Sequence, residues 1–436
     1  MRKALVSIAA VLMAGLLPFS AFQKTLRAES GNNDNSGKAI RTGTAQITGA
    51  MESNIYFGNY WQSVKSEDAT DSNKEPVKWR VLANDGSLFV VSDKNLDCIE
   101  YNSSAETVTW ENCSLRKWLN GKFLDKAFTT QEQGAVLESL VVNEDGAKGS
   151  EAGADTYDKV YLLSIYEVID PELGFPTDWK AKGGTRVALN TEYTRSKRAM
   201  TSSDMSGAWW LRTPGDAKNA ANVFNAGNVF VRGGNVNNFI FAVRPAMNID
   251  TSKVLFTSPA EGGKISGVPG ADAMKEVGFY TGSDWKLTIK DDTRPVFEAS
   301  VSGPKTILKD GAVKLRYKGA STGENEYISA LIEDTDGSIL YYGNIAGSTS
   351  ADAKDSGKAA INVPAELTPG NYTLKVFSEQ CNGDFKTDLA SNIVTLDITI
   401  SKYKTADRNL LIGISSAIVT AALVTVVFAV RKKKHA

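Results

Sequence analysis

The stretch that decides the fold is AWWLRTPGDAKNAANVFNAGNVFVRGGNVNNFIFAVRPAMNID, residues 208–250. It holds few helix formers. Val223, Phe224, Val229, Phe230 and Val231 alternate loosely with Asn and Gly, which reads as short strands joined by turns. FAVRPAMNID (241–250) reads as a returning core strand. Trp209 and Trp210 are adjacent. Successive strand side chains point to opposite faces, so one ring is expected in the core and the other near a surface.

Working outward, the preceding segments supply helix signals. In TWENCSLRKWLNGKFL (109–124), Leu115, Trp118, Leu119 and Phe123 recur at helical spacing, with Asn112 or Ser114 as N-cap. Thr129 with Glu132, and Ser164 with Glu167, fit capping boxes. Upstream, VKWRVL alternates in character, and NDGS (84–87) is a hairpin turn signal leading to LFVVS. This uneven mix of strands and helices predicts an α+β domain over residues 51–250 rather than alternating βαβ units.

Residues 292–401 read differently. KLRYKG, EYISALIED, ILYYGNIA, YTLKVF and IVTLDITI are strand-like runs separated by turns, which predicts an all-β, Ig-like sandwich. LTPGNYTLKV (367–376) fits a tyrosine corner built on Tyr372. Between the two modules, 251–291 reads as a connecting extension, and 29–50 as a polar linker.

Both ends are apolar. Arg2, Lys3 and the run that follows resemble an export signal over residues 1–28, with an uncleaved anchor as the alternative. Leu410 to Val430 carries no charge, which predicts a membrane helix over 409–430. The basic tail 431–436 would then stay in the cytoplasm. The expectation is a single-pass cell-membrane protein with an extracellular ectodomain. SKYKTADRN lacks the Leu-Pro-x-Thr-Gly pattern of covalent wall anchors.

Rare residues restrict the chemistry. The single histidine is His435, in the tail, so no Ser-His-Asp or Cys-His nucleophile and no His-ligated zinc is expected in the ectodomain. Basic and acidic residues number 49 and 50, and no basic block precedes the tail, which argues against nucleic acid. No cofactor and no metal are expected. Glu144, Asp145, Asp155 and Asp158 offer oxygen ligands for calcium, but their spacing matches no EF-hand, and a solvated loop is the preferred reading. Cys98 and Cys113 are read as a disulfide, contributing about 3 kcal/mol for a loop of about fifteen residues, with two buried free thiols as the alternative. Cys381 is left over.

The motifs TWENCSLRKWLN, VYLLSIYEV, WWLRTPG and FAVRPAMNI together resemble a domain family of unknown function in exported proteins of Gram-positive bacteria. That family is similar to the C-type-lectin-like fold, in the version shared with formylglycine-generating enzymes, and recurs with a following Ig-like module. The resemblance implies a scaffold with an irregular binding face. The Glu-Pro-Asn and Trp-Asn-Asp calcium motifs of sugar-binding C-type lectins do not occur here, nor do the cysteines of the generating enzymes.

The candidate face is therefore the 209–244 stretch. Trp209 and Trp210 would give aromatic area. Arg212, Arg232 and Arg244 would give forked donors. Asn219, Asn222, Asn225, Asn228, Asn235, Asn237 and Asn238 would give paired donor and acceptor groups. The expected activity is non-covalent binding of an extracellular glycan, peptide or partner protein, with no catalytic residues. Two other readings remain: a carboxylate-based glycan-processing enzyme using Asp204 and Asp216, and a structural surface-layer component.

Overall fold

A computed structural model describes residues 37–348 and 355–402. The expected export signal, membrane helix and basic tail lie outside the described residues. Among the described residues, no helix is long and apolar enough to cross a membrane.

Among the described residues the structure is mostly β, with 40% strand and 12% helix, which corrects the α+β expectation. The helical signals do appear, but as short corners. Ser114–Trp118, Leu119–Phe123 and Leu124–Ala127 form one short run, with a π turn in the middle. Its N-cap is Cys113, whose Sγ accepts from the Arg116 N–H at 3.3 Å. Thr129 and Glu132 make the reciprocal capping box, yet that helix spans only Thr130–Ala135. Glu132 is buried and its second oxygen accepts from the Gly58 N–H at 3.1 Å, so the cap also ties the helix to a strand.

Asn54–Tyr60, Glu75–Asn84, Ser87–Ser92, Ala246–Asp250 and Val160–Tyr161 lie side by side, with every pairing in this series antiparallel. The expected hairpin turns at Gly86, whose φ of 104° suits glycine. A second, five-stranded sheet runs Val229–Asn235, Asn219–Val223, Trp209–Pro214, Ala242–Val243, Asp97–Cys98. A shared core joins these elements. It includes Trp79, Trp110, Trp209 and Trp210, none more than 1% exposed.

The segment 251–291 is not a mere connection. Val254–Pro259 pairs antiparallel with Asp284–Lys290. Along its other edge Asp284–Lys290 pairs in parallel first with Asn54–Tyr60, through 284–286, and then with Asp388–Ala390 of the second module, through 288–290. One fifteen-stranded sheet therefore runs through both modules. A strand buried on both sides needs no polar alternation, and WKLTIK has five consecutive buried residues from Trp285 to Ile289. The assumed linker also joins in: Arg41–Thr42 pairs with Val254–Pro259, and Ile40 and Ile47 are buried.

The second module is a sandwich. Glu298–Val301, Ala312–Lys318 and Ser356–Asn362 form one sheet. Ile339–Ser348, Glu326–Glu333, Gly370–Gln380 and Val394–Ser401 lie in the large one. Phe297, Leu315, Ile332 and Leu374 fill the space between. The tyrosine-corner bond is present: Tyr372 Oη donates to the Thr368 carbonyl at 2.9 Å.

Candidate functional site

The Trp209–Pro214 strand is buried at all six positions, because its sheet is covered on both faces. The expectation that one tryptophan reaches a surface is therefore corrected. Both rings are fully buried. Trp209 Nε1 donates to the Arg186 carbonyl at 3.1 Å, and the Arg244 guanidinium lies over its ring at 5.0 Å. On the other face, Trp210 Nε1 donates to the Ile99 carbonyl at 3.0 Å, and its ring meets Phe241 at 4.4 Å and Tyr101 at 5.7 Å.

The arginines divide. Arg212 is buried, pairs with Glu167, and donates to the Leu162 and Val142 carbonyls at 2.9 and 3.0 Å. Arg244 is fully buried, and its Nε donates to the Ser92 carbonyl at 2.9 Å. Burial, helped by the neighbouring Arg80, lowers its pKa from the ordinary guanidinium range to about 9. Only Arg232 is exposed, 3.7 Å from Asp216.

The seven asparagines do not share one face. Asn222 is fully buried opposite Trp210, while Asn235 and Asn237 are exposed and the remaining four are intermediate. Turn chemistry accounts for several. The Asn235 side chain accepts from the Asn237 N–H, and that of Asn238 from the Ile240 N–H. Residues 224–228 close a turn through the Phe224 N–H to Asn228 carbonyl bond, with Gly227 at φ 91°. The stretch is mainly framework.

The expected disulfide is also corrected. Cys98, Cys113 and Cys381 are free. Cys98 Sγ faces the Phe239 carbonyl at 2.9 Å and Cys113 Sγ caps a helix, so each sulfur is aimed at backbone rather than at the other. Desolvation pushes both thiols up to about 12. In the acidic loop, Asp145 accepts from the Ala152 N–H and Asp155 from the Asn143 N–H, so those carboxylates close the loop on itself. Asp204 accepts from Ser206.

Two adjoining clefts lie elsewhere, along the Asn54–Tyr60 and Glu75–Asn84 strands. One of about 690 Å³ is bounded by 62–65 and 190–195; the other, about 490 Å³, reaches the junction with the second module. Gln62 and Lys94 line both, so the two form one groove. Its charges alternate in sign: Lys65, Asp68, Glu192 and Arg195 at one end, Glu75, Lys78 and Asp93 at the other. Several are already engaged. Arg195 pairs with Glu192, Asp93 with Arg80 at 2.6 Å, and Lys78 with Asp284 at 2.9 Å.

The junction end is aromatic. Tyr56 meets Phe385, from the second module, with ring centroids 4.8 Å apart. The Lys78 ammonium sits 5.9 Å from the Tyr56 ring. Burial, with Asp284 and Asp93 nearby, pushes the Tyr56 phenol up to about 12, so it stays a neutral donor. Phe385 has φ 60°, a costly conformation for a non-glycine residue, and is held by its N–H bond to the Ala260 carbonyl at 2.7 Å.

A third cleft, about 440 Å³, contains Arg116, Asn120 and Asp158. The Asp158 carboxylate is saturated there by Trp110, Thr156, Arg116 and Asn120. Sequence reasoning missed Arg186, Tyr56 and Phe385. The only available signal for Tyr56 was IYFGNYWQ, an aromatic run denser than one strand face needs.

A domain of unknown function, DUF6273, spans residues 85–251. That match covers the five-stranded sheet with its buried Trp pair and omits the Asn54–Tyr60 and Glu75–Asn84 strands beside it. No curated protein matches the chain.

Proposed function

We propose that this chain is a surface-anchored binding protein that holds an extracellular glycan, without transforming it, in the groove running from Arg195 to Phe385. The observation that carries the reading is the Tyr56–Phe385 pair at the end of a groove lined by charges of both signs. Aromatic faces give sugars large contact area at little entropic cost. Lys94 as donor and the Gln62 side-chain oxygen as acceptor suit hydroxyl groups, the Gln62 amide nitrogen and the whole Asn190 amide being engaged within the protein. Balanced charge favours a neutral polymer over a polyanion. Surface placement rests on the apolar segments at the two ends of the sequence. The lectin-like reading of the first module rests on the motif resemblance and supplies no ligand by itself.

The test is a glycan array probed with the full-length chain in detergent, as wild type and as Tyr56→Ala and Phe385→Ala. Binding of a neutral glycan by the wild type, weakened in both variants, supports the reading. Binding only to peptides or proteins, or release of cleaved sugar, overturns it.

A further inference from the structure

We infer that Lys264 and Asp388 are the partners of an intramolecular isopeptide bond, formed by the chain itself with Glu379 as proton carrier. The inference is independent of the glycan groove and rests on a buried side-chain cluster at the junction of the two modules.

Lys264 leaves the 260–274 segment, which is pinned to the Ile339–Ser348 strand. The Gly270 N–H reaches the Asn344 carbonyl at 3.1 Å, and Ser266 Oγ accepts from the Asn344 N–H at 2.9 Å. The Lys264 side chain is 3% exposed, and those of Glu379 and Asp388 are 0% and 1%. Its Nζ lies 3.0 Å from Asp388 Oδ2, touches Glu379 Oε2, and donates to Thr288 Oγ1 at 2.9 Å. The opposite oxygen, Asp388 Oδ1, accepts from the Asn382 N–H at 2.8 Å and from Lys286 Nζ at 3.0 Å. Tyr342 Oη donates to Glu379 Oε1.

This arrangement places an amine beside a carboxyl group whose Oδ1 accepts from the Asn382 N–H, while Lys286 Nζ stands 3.0 Å from both carboxyl oxygens. Such donors stabilise the oxyanion that forms when an amine adds to the carbon. Glu379 is the less suitable electrophile because only Tyr342 serves its distal oxygen. Burial acts to lower the Lys264 pKa, but Asp388 and Glu379 outweigh it and hold the ammonium above its ordinary range. The nucleophile therefore forms by passing a proton to the touching Glu379, which turns an ion pair into two neutral groups where charge is costly.

The step balances without a co-reactant. Lys264 Nζ bonds to Asp388 Cγ, the Cγ–Oδ2 bond breaks, and Glu379 delivers protons to the departing oxygen, which leaves as water. Nothing is oxidised or reduced. The product amide would tie the junction segment to the Asp388–Ala390 strand and enclose the sandwich strands between them in one covalent loop. Tension applied along the chain would then bypass the strands inside that loop, leaving Val394–Ser401 beyond it.

The experiment is peptide mapping by mass spectrometry of the purified full-length chain, with Lys264→Arg and Glu379→Gln beside it. The expected result for the wild type is a branched peptide containing Lys264 and Asp388, lighter than the sum of its parts by one water. It is absent from both variants, which circular dichroism must show to be folded. Recovery of Lys264 and Asp388 from the wild type in separate, unmodified peptides overturns the inference. So does a branch at Lys286 or Glu379.

Discussion

Arg186 is fully buried, and all five of its N–H donors reach backbone carbonyls. Nε donates to Gly227; Nη1 to Val168 and Pro176; Nη2 to Asp178 and Ala181, at 2.7 to 3.1 Å. The side chain thus closes the irregular 168–187 segment onto the 224–228 turn, beneath Trp209. Arg186→Met removes every one of these bonds while keeping a side chain of comparable length. Pro176, Asp178 and Ala181 are partly or fully exposed, so their carbonyls recover water. Val168 and Gly227 are buried and theirs do not. Two orphaned carbonyls cost about 1–3 kcal/mol each. Against this stands the desolvation cost of Arg186, which depresses its pKa and which Met does not incur. The net expectation is about 3 kcal/mol, or a fall in Tm of about 6–12 °C if the first module unfolds as a cooperative unit of about 150–250 residues. Thermal unfolding followed by near-ultraviolet circular dichroism reports directly on the buried tryptophans. A shift below about 2 °C would show that the loop organises itself without the guanidinium.

Three further outcomes follow from the same geometry. Trp210→Phe loses the indole bond to the Ile99 carbonyl and some packing; it should cost about 1–3 kcal/mol in denaturant unfolding while leaving ligand affinity unchanged. Phe385→Ala removes a half-buried ring at the groove's end, so it should weaken ligand binding by about 1–3 kcal/mol in calorimetry with little change in Tm. With thiol pKa values near 12, Cys98 and Cys113 are almost wholly protonated at pH 8, so a thiol reagent should label them slowly in the folded protein. Denaturation without reductant should then reveal all three thiols, and recovery of fewer would restore the disulfide.

Local signals survived the passage from sequence to structure wherever neighbouring residues decide the outcome. The Gly86 hairpin, the Thr129–Glu132 capping box and the Tyr372 corner each depend on a few adjacent positions, and each is present. Features that depend on distant strands were not legible. Residues 251–291 lack alternation because Asp284–Lys290 is flanked by strands of both modules, which only the folded topology reveals. Trp209 and Trp210 were assigned to opposite environments on the assumption that one sheet face meets solvent. Both faces are covered instead, so strand alternation separates the two rings without exposing either. The helical periodicity of 115–123 was real, but the run is too short to make a layer. The groove is not legible in the sequence because its walls come from residues 56–78, 93–96, 190–195 and 385, whose juxtaposition has no sequence signature.

The proposed function requires that ligand is held in this groove rather than on the Asn-rich hairpins. Hydrogen–deuterium exchange of the full-length chain, with and without a glycan recovered from the array, tests it most directly. Slowed exchange is expected in 62–65, 94–96, 190–195 and around Phe385, with the 219–238 hairpins unchanged. Protection confined to 219–238 would contradict it and return the binding site to the asparagines.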